Sequence, residues 1–160
     1  MLAVKLVCVG RMREKYYTEA FAEYAKRLGA YCRFECAELP EQRLGDAPSR
    51  SEIDAALAKE AAEIFKNIPA DAYCAAMCVE GAEKSSEELS ALIAERESSG
   101  RPKLCFIVGG SYGLAGSVKE RADLELSMSR MTFPHHLARV MLAEQIYRAF
   151  KIKEGSRYHK

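Results

Sequence analysis

The chain has 160 residues, of which 49% are hydrophobic, and its formal net charge at neutral pH is +1. This length is enough for one ordinary domain with a hydrophobic core and too short for two, so we predict a single domain over residues 1–160. No apolar run approaches the roughly 20 residues that a membrane-spanning helix needs. The apolar start of the chain also contains Lys5 and lacks a small-residue cleavage site. These features predict a cytoplasmic protein with no membrane partner.

Short apolar runs alternate with helical patterns along the chain. Strands are predicted at residues 3–10, 31–39, 72–79, 103–108 and 124–128, and helices at 16–29, 51–68, 86–98, from about 117, and from Pro134 onward. Ser85 and Glu88 form a capping-box pattern at the start of the third helix. The run 103–108 is the most continuously apolar and is therefore expected at the centre of the sheet. The alternation predicts an α/β fold with a mostly parallel sheet and helices on both faces.

The stretch "FIVGGSYGLAGSV", residues 106–118, contains glycines at 109, 110, 113 and 116. This spacing matches neither the phosphate-binding P-loop nor the dinucleotide-binding G-x-G-x-x-G pattern. Ligands of parallel α/β sheets bind beyond the carboxyl ends of the strands. Three loops are expected there: the one after Val79, the glycine-rich turn, and "SMSRMTF" after the fifth strand. Together they predict a binding site at this edge of the sheet.

Charge is distributed unevenly along the chain. Residues 1–34 carry seven Lys or Arg against three Asp or Glu, and residues 130–160 carry seven against two, whereas residues 35–99 carry six against fifteen. If the fold brings both ends together, they form a positive face suited to a phosphate backbone. The alternative is that these are ordinary solvated charges.

The six cysteines are assigned to a reducing compartment, and Cys8, Cys74, Cys78 and Cys105, which lie in apolar runs, are interpreted as buried apolar side chains. A zinc site could be assembled from Cys32, Cys36, Cys74 and Cys78. However, Cys74 and Cys78 on one strand would lie about 13 Å apart, too far for two ligands of one tetrahedral ion. We therefore predict no metal.

The last helix is apolar on more than one face, with Leu137, Val140, Met141, Leu142, Ile146, Tyr147 and Phe150 all within it. A helix of this kind must be buried on most sides, which in a small protein predicts a second copy as partner. Pro134 is expected in its first turn, beside His135 and His136. Arg139 and Glu144 are then either a buried ion pair at the dimer interface or part of a functional site.

The segments "FIVGGSYGL", "LSMSRMTFPHHLARVMLAEQIYRAFKI" and "YHK", together with the opening "VKLVCVGRMREKYY", closely resemble the ribosomal RNA large subunit methyltransferase H family of the SPOUT class. The resemblance covers essentially the whole chain. It implies a cytoplasmic homodimer whose α/β fold contains a C-terminal trefoil knot. It also implies an enzyme that uses S-adenosyl-L-methionine to methylate N3 of a pseudouridine in 23S rRNA on assembled ribosomes, with no DNA partner.

The resemblance also implies positions for the cofactor. It places the pocket at Met77, Gly109, Met128, Ser129, Arg130, Met131, Thr132 and Phe133. Main-chain groups can hold the edge of adenine and Met side chains its faces, while Gly109 is expected to let the backbone approach the ligand. The chain departs from the family pattern at Met77, Cys78 and Ala82, where relatives usually have leucine, an acidic residue and lysine.

Three residues are candidates for catalysis. A base near neutrality and a fixed positive charge would help the imide of pseudouridine to lose its proton. His159 and Arg139 are the candidates for these roles, and Tyr158 for a platform under the base. For His159 the alternative is a disordered tail. A second hypothesis for the whole chain is a non-catalytic α/β module that binds a nucleotide and regulates a protein partner.

Overall fold

The structure, a computed structural model, describes residues 1–160. Its strands are β1 (Ala3–Val9), β2 (Arg33–Leu39), β3 (Tyr73–Glu83), β4 (Lys103–Val108) and β5 (Leu124–Ser127). Its helices are α1 (Lys15–Leu28), α2 (Arg50–Asn67), α3 (Ser86–Ser98), α4 (Gly116–Arg121) and α5 (His135–Lys153). Each predicted strand and helix is present, with ends that differ by a few residues.

The five strands form one parallel sheet in the order β2-β1-β4-β3-β5. Strand β4 lies at the centre, as its apolar composition predicted, and every residue from Leu104 to Val108 is buried. One core packs this sheet against α1, α3 and α5, and a second packs its other face against α2 and α4. The predicted α/β fold with helices on both faces is therefore confirmed.

Local sequence signals determine where the helices begin. The Ser85 side chain accepts a hydrogen bond from the backbone of Glu88, whose carboxylate accepts one from the Ser85 backbone, so the predicted capping box is present. Ser49 and Glu52 make the same box at α2. Pro134 occupies the N-cap of α5 rather than its first turn, so this predicted position is one residue off.

Helix α5 packs between α1 and α3 and against the sheet. Its residues Leu142, Ile146 and Phe150 therefore lie in the core of their own chain. The opposite face, with Leu137 and Met141, is half-buried. Leu142, Ile146 and Phe150 therefore need no second chain to bury them, and the half-buried face is the part of the helix left to meet a second copy. The homodimer stays a prediction.

The chain reverses direction after α5. Gly155 has a φ of 72°, in the left-handed region that glycine favours, and the Ser156 backbone donates to the Lys151 carbonyl at 3.0 Å. The last residues then run back along α5. None of the helices is both long and apolar enough to cross a membrane.

Candidate functional site

A cleft of ≈ 580 Å³ opens at the carboxyl ends of β3, β4 and β5. Its walls come from the end of β3, the turn after β4, the loop after β5 and the first turns of α5. Seven of the eight residues predicted to hold the cofactor line it: Met77, Gly109, Met128, Ser129, Met131, Thr132 and Phe133. The parallel sheet thus brings together one strand and two loops that are far apart in the sequence; the predicted loop after Val79 is part of β3.

The loop after β5 is held by short-range hydrogen bonds. The Ser127 hydroxyl donates to the Ser129 carbonyl at 2.8 Å, and the Met131 backbone donates to the Ser129 hydroxyl at 3.1 Å. The backbone N–H groups of Thr132 and Phe133 donate to no atom of the chain. Free main-chain donors beside apolar side chains suit the edge and the faces of a purine base.

Arg130 is the predicted cofactor residue whose side chain does not line the cleft. Its side chain is 92% exposed and its Nε lies 4.0 Å from a carboxylate oxygen of Glu83. Arg130 therefore does not line the cleft of this chain, unlike its neighbours Ser129 and Met131.

Gly109 is required by its own turn. A Cβ added there would lie 2.4 Å from the carbonyl oxygen of Gly113, well inside van der Waals contact. Gly110 and Gly113 form a bridge across this turn. The turn's own backbone thus requires glycine at 109, and Gly109 also lines the cleft, so the predicted approach to the cofactor stays a prediction.

One wall of the cleft departs from the family pattern at Cys78. The Cys78 sulfur lies 3.8 Å from a Glu125 oxygen, and burial raises the pKa of its thiol to about 11. Cys78 is therefore a neutral thiol near pH 7. The neighbouring Glu80 pairs with Lys119, which lowers the pKa of that carboxyl. The other departure, Ala82, pairs with Leu126 in the sheet and does not line the cleft.

Arg139 is buried, with only 1% of its side chain exposed. Its guanidinium donates to Glu38 Oε2 at 2.7 Å and to the Gly10 carbonyl at 2.9 Å, at the carboxyl ends of β2 and β1. Glu144 is paired with Arg148 instead, at 2.6 Å. Arg139 and Glu144 therefore do not pair with each other within the chain, where each has a different partner.

The C-terminal tail is ordered against α5 and α3. The Tyr158 hydroxyl donates to Glu144 Oε1 at 3.0 Å, and the Arg148 guanidinium lies over the Tyr158 ring. Burial, followed by the bond to Glu144, raises the pKa of Tyr158 to about 12. His159 lies with Nε2 2.7 Å from Glu87 Oε1 and Nδ1 3.2 Å from Arg148 Nη1. Neither Tyr158 nor His159 lines the cleft, so one chain does not bring the predicted catalytic tail to the predicted cofactor site.

Sequence reasoning missed Glu41. Its carboxylate accepts a hydrogen bond from the Ser111 backbone at 2.8 Å and occupies the space beside Gly110. It thereby attaches the loop after β2 to the glycine-rich turn. The only sequence signal was an acidic residue directly after a strand, which is too common to indicate a specific contact.

A parallel α/β sheet whose carboxyl edge carries an apolar cleft with free main-chain donors is the architecture of proteins that bind a nucleoside-like ligand. A family described as "Predicted SPOUT methyltransferase" matches residues 2–159. The chain is 43% identical to the ribosomal RNA large subunit methyltransferase H of Limosilactobacillus reuteri (strain DSM 20016) over 157 residues, 98% of this chain and 99% of the relative. It is 44% identical to the protein of that name from Moorella thermoacetica over 160 residues, all of both chains. The chain therefore belongs to the ribosomal RNA large subunit methyltransferase H family of the SPOUT methyltransferases.

Among solved structures, the chain is similar to a probable methylase family protein from Haemophilus influenzae Rd KW20. The TM-score is 0.53 at 11% identity, over 100% of this chain and 72% of the other, a likeness that supports the fold alone. Family membership confirms the methyltransferase class and S-adenosyl-L-methionine as its cofactor. The trefoil knot and the roles of individual site residues stay predictions.

Proposed function

We propose that the chain methylates N3 of a pseudouridine in 23S rRNA, on an assembled ribosome or large subunit in the cytoplasm. The observation that carries the proposal is that seven residues of the family motifs, from strand β3 and the loops after β4 and β5, line one cleft. The relatives named as large subunit methyltransferases, which match along the full chain, support the ribosomal RNA substrate. The chain forms one sheet with its helices, and we expect the assembled particle to supply much of the recognition surface.

The cleft residues fit S-adenosyl-L-methionine. Met77 and Met131 provide apolar surfaces for the faces of adenine, and the free N–H groups of Thr132 and Phe133 can bond polar atoms of the ligand. A volume of ≈ 580 Å³ lies within the range of small-molecule sites. When bound, the cofactor supplies a methyl group that is already attached to a sulfonium sulfur.

Catalysis then consists mainly of aligning the nucleophile and removing one proton. The imide N3–H of pseudouridine must lose its proton before N3 can form a bond to the methyl carbon, and the negative charge spreads to the flanking carbonyl oxygens. We assign His159 the role of proton acceptor and Tyr158 that of the platform for the base. Both ring nitrogens of His159 are engaged, by Glu87 and Arg148, so the tail must leave this position to act.

For Arg139 we propose the role of a fixed positive charge, held at the carboxyl ends of β1 and β2. Its bonds to Glu38 and to the Gly10 carbonyl prevent it from moving toward a ligand. Its contribution is therefore electrostatic stabilisation from a preorganised position rather than direct contact.

A second copy of the chain would bring the tail to the cleft. The half-buried face of α5 presents Leu137, Val140 and Met141, an apolar surface at helical spacing. If two copies pair antiparallel through this face, the C-terminal end of one α5 lies beside the N-terminal end of the other. That N-terminal end lines the cofactor cleft with Pro134 and His135. We therefore propose a homodimer in which the tail of one copy serves the cleft of the other.

The test is methylation of ribosomal particles from a strain that lacks the enzyme. Purified protein is incubated with isotopically labelled S-adenosyl-L-methionine and either 70S ribosomes, large subunits or a short RNA stem-loop, and the label is mapped by mass spectrometry. We expect label on one pseudouridine of 23S rRNA, with strong activity on particles and weak activity on the stem-loop. Label on another type of nucleotide would contradict the proposal. Cofactor binding by calorimetry without transfer to any particle would instead support the non-catalytic module.

A further inference from the structure

A second cavity, of ≈ 850 Å³, lies at the carboxyl ends of β1 and β2. It is enclosed by the loop after β1, the loop after β2 and part of α2, and we call it the arginine cavity because Arg11, Arg13 and Arg43 line it. It shares Ser111, Tyr112 and His135 with the cofactor cleft, so the two spaces adjoin. None of the residues predicted to hold the cofactor or to act in catalysis lines it.

The acidic residues of this cavity are already engaged by the protein. Glu38 accepts hydrogen bonds from Arg139 and from the Met12 backbone, each within 2.8 Å. The other two carboxylates, those of Glu41 and Glu60, each accept a backbone N–H bond at 2.8 Å, from Ser111 and Gln42 respectively. One oxygen of each carboxylate therefore stabilises the walls by accepting hydrogen bonds from the protein: Glu38 Oε2, Glu41 Oε1 and Glu60 Oε2.

The basic residues of the cavity are not engaged. The side chains of Arg11, Arg13 and Arg43 are exposed and form no ion pair or hydrogen bond with the chain. The His136 Nε2 atom is buried without a hydrogen-bond partner, while its Nδ1 lies 3.1 Å from Glu14. Three free guanidinium groups around one concave space are suited to oxygen-rich anions, because each can donate two parallel hydrogen bonds.

We propose that the arginine cavity is the subsite for the phosphate backbone of the RNA next to the methylated nucleotide. The inference rests on the proposed function, because the adjoining cofactor cleft identifies the nucleic acid as the substrate. Phosphates of that strand bind Arg11, Arg13 and Arg43, while the target base enters the shared edge of the cofactor cleft. Tyr112, which is 49% exposed at this edge, offers a ring face for an unstacked base.

The experiment compares two variants with the same loss of charge. The test variant carries Arg11→Gln, Arg13→Gln and Arg43→Gln. The control variant carries substitutions of exposed basic residues at the opposite, amino-terminal edge of the sheet: Lys26→Gln, Arg33→Gln and Arg101→Gln. Affinity for large subunits is measured at several salt concentrations in the presence of S-adenosylhomocysteine, and cofactor affinity is measured by calorimetry.

We expect the test variant to bind subunits about tenfold or more weakly, and the slope of log affinity against log salt to fall by about two, since each lost phosphate contact removes about 0.7 from the slope for single strands. Its affinity for S-adenosyl-L-methionine should be unchanged. The control variant should retain the affinity and the salt slope of the unmodified protein. Equal affinities and equal salt slopes for the two variants would overturn the inference while leaving the proposed function intact.

A cross-linking measurement identifies what occupies the cavity. A photo-reactive benzoylphenylalanine placed at Leu44, which lines the cavity, should yield enzyme linked to 23S rRNA when bound subunits are irradiated. Cross-links to ribosomal proteins alone would overturn the inference. Failure of the unmodified protein to bind the cofactor or to label subunits would overturn the proposed function, and this inference with it.

Discussion

Deletion of Tyr158, His159 and Lys160 should abolish most methyl transfer while the fold and the cofactor site remain. The deletion removes the hydrogen bond from the Tyr158 hydroxyl to Glu144, the contact of the Tyr158 ring with Arg148, and the contacts of His159 with Glu87 and Arg148. A hydrogen bond to a charged group contributes about 1.5–3 kcal/mol and a cation–π contact about 0.5–1 kcal/mol. Ordering the backbone of three residues costs about 3–6 kcal/mol. These opposing quantities nearly cancel, so the net contribution of the tail to stability is small.

Glu144 also keeps a partner after the deletion, because Arg148 donates to it through Nε at 3.0 Å and through Nη2 at 2.6 Å. No unpaired half-buried charge is left behind. A change of about 1 kcal/mol in stability corresponds to about 2–4 °C in Tm for a chain of this size, and the measured shift should not exceed that.

Activity should respond very differently. Loss of a positioned acid–base group lowers turnover by about 100-fold to 10,000-fold. The assays are thermal unfolding, calorimetry with S-adenosyl-L-methionine, sedimentation and single-turnover methylation of large subunits. His159→Ala alone should lower turnover more than cofactor affinity, and deletion of Lys160 alone serves as the matched control. Full-rate methylation by the truncated protein would refute the reasoning and show that the tail is a passive extension.

Three further outcomes are expected. Gly109→Ala places a methyl group 2.4 Å from the Gly113 carbonyl oxygen. The substitution should lower the free energy of unfolding by about 1–3 kcal/mol, as measured by thermal unfolding, and weaken cofactor binding, as measured by calorimetry. Gly116→Ala, where a Cβ meets nothing within 4 Å, is its control, and equal cofactor affinities for the two variants would contradict the prediction. Met141→Glu, on the half-buried face of α5, should yield a folded monomer by sedimentation, with weakened cofactor binding. Ile146→Glu, in the core, should instead unfold the chain. Sedimentation of the unmodified protein as a stable monomer would contradict the proposed dimer. Burial lowers the pKa of His135 below its usual 6.5, so the unfolded chain binds more protons and the free energy of unfolding should fall as pH drops below about 6.5. His135→Gln should reduce the slope of the free energy of unfolding against pH, as measured by urea titrations at several pH values. An unchanged slope would show that His135 does not cause the pH dependence.

Features of the fold that depend on neighbouring residues in the sequence were predictable. The capping pair Ser85 and Glu88, the break at Pro134 and the apolar run 103–108 each indicate local structure without knowledge of the rest of the chain. Strand β3 was predicted to end at residue 79 but runs to Glu83. It does so because the backbone at Gly81 packs directly on Glu125 of β5, and the register shifts there.

The candidate site was predictable only in part. The family motifs identified residues on β3 and on the loops after β4 and β5, and the parallel sheet explains why these segments meet. The partners of polar side chains were not predictable, because they join distant parts of the chain: Arg139 with Glu38, and Glu41 with Ser111. No periodicity or spacing encodes such pairs. For the same reason, the sequence did not indicate that Arg11, Arg13 and Arg43 would surround one cavity.

The strand order also constrains how the protein can be synthesised. Ala3 of β1 pairs with Lys103, and Tyr73 of β3 pairs with Leu104, so β4 joins two strands that precede it in the chain. During translation, β1 and β2 can pair early, but β3 has no neighbour in the sheet until β4 leaves the ribosome. The nascent chain therefore exposes apolar strand edges until β4 is synthesised, and exposed edges of this kind favour aggregation. Refolding from denaturant should accordingly be slow for a chain of this length, with a rate limited by the insertion of β4.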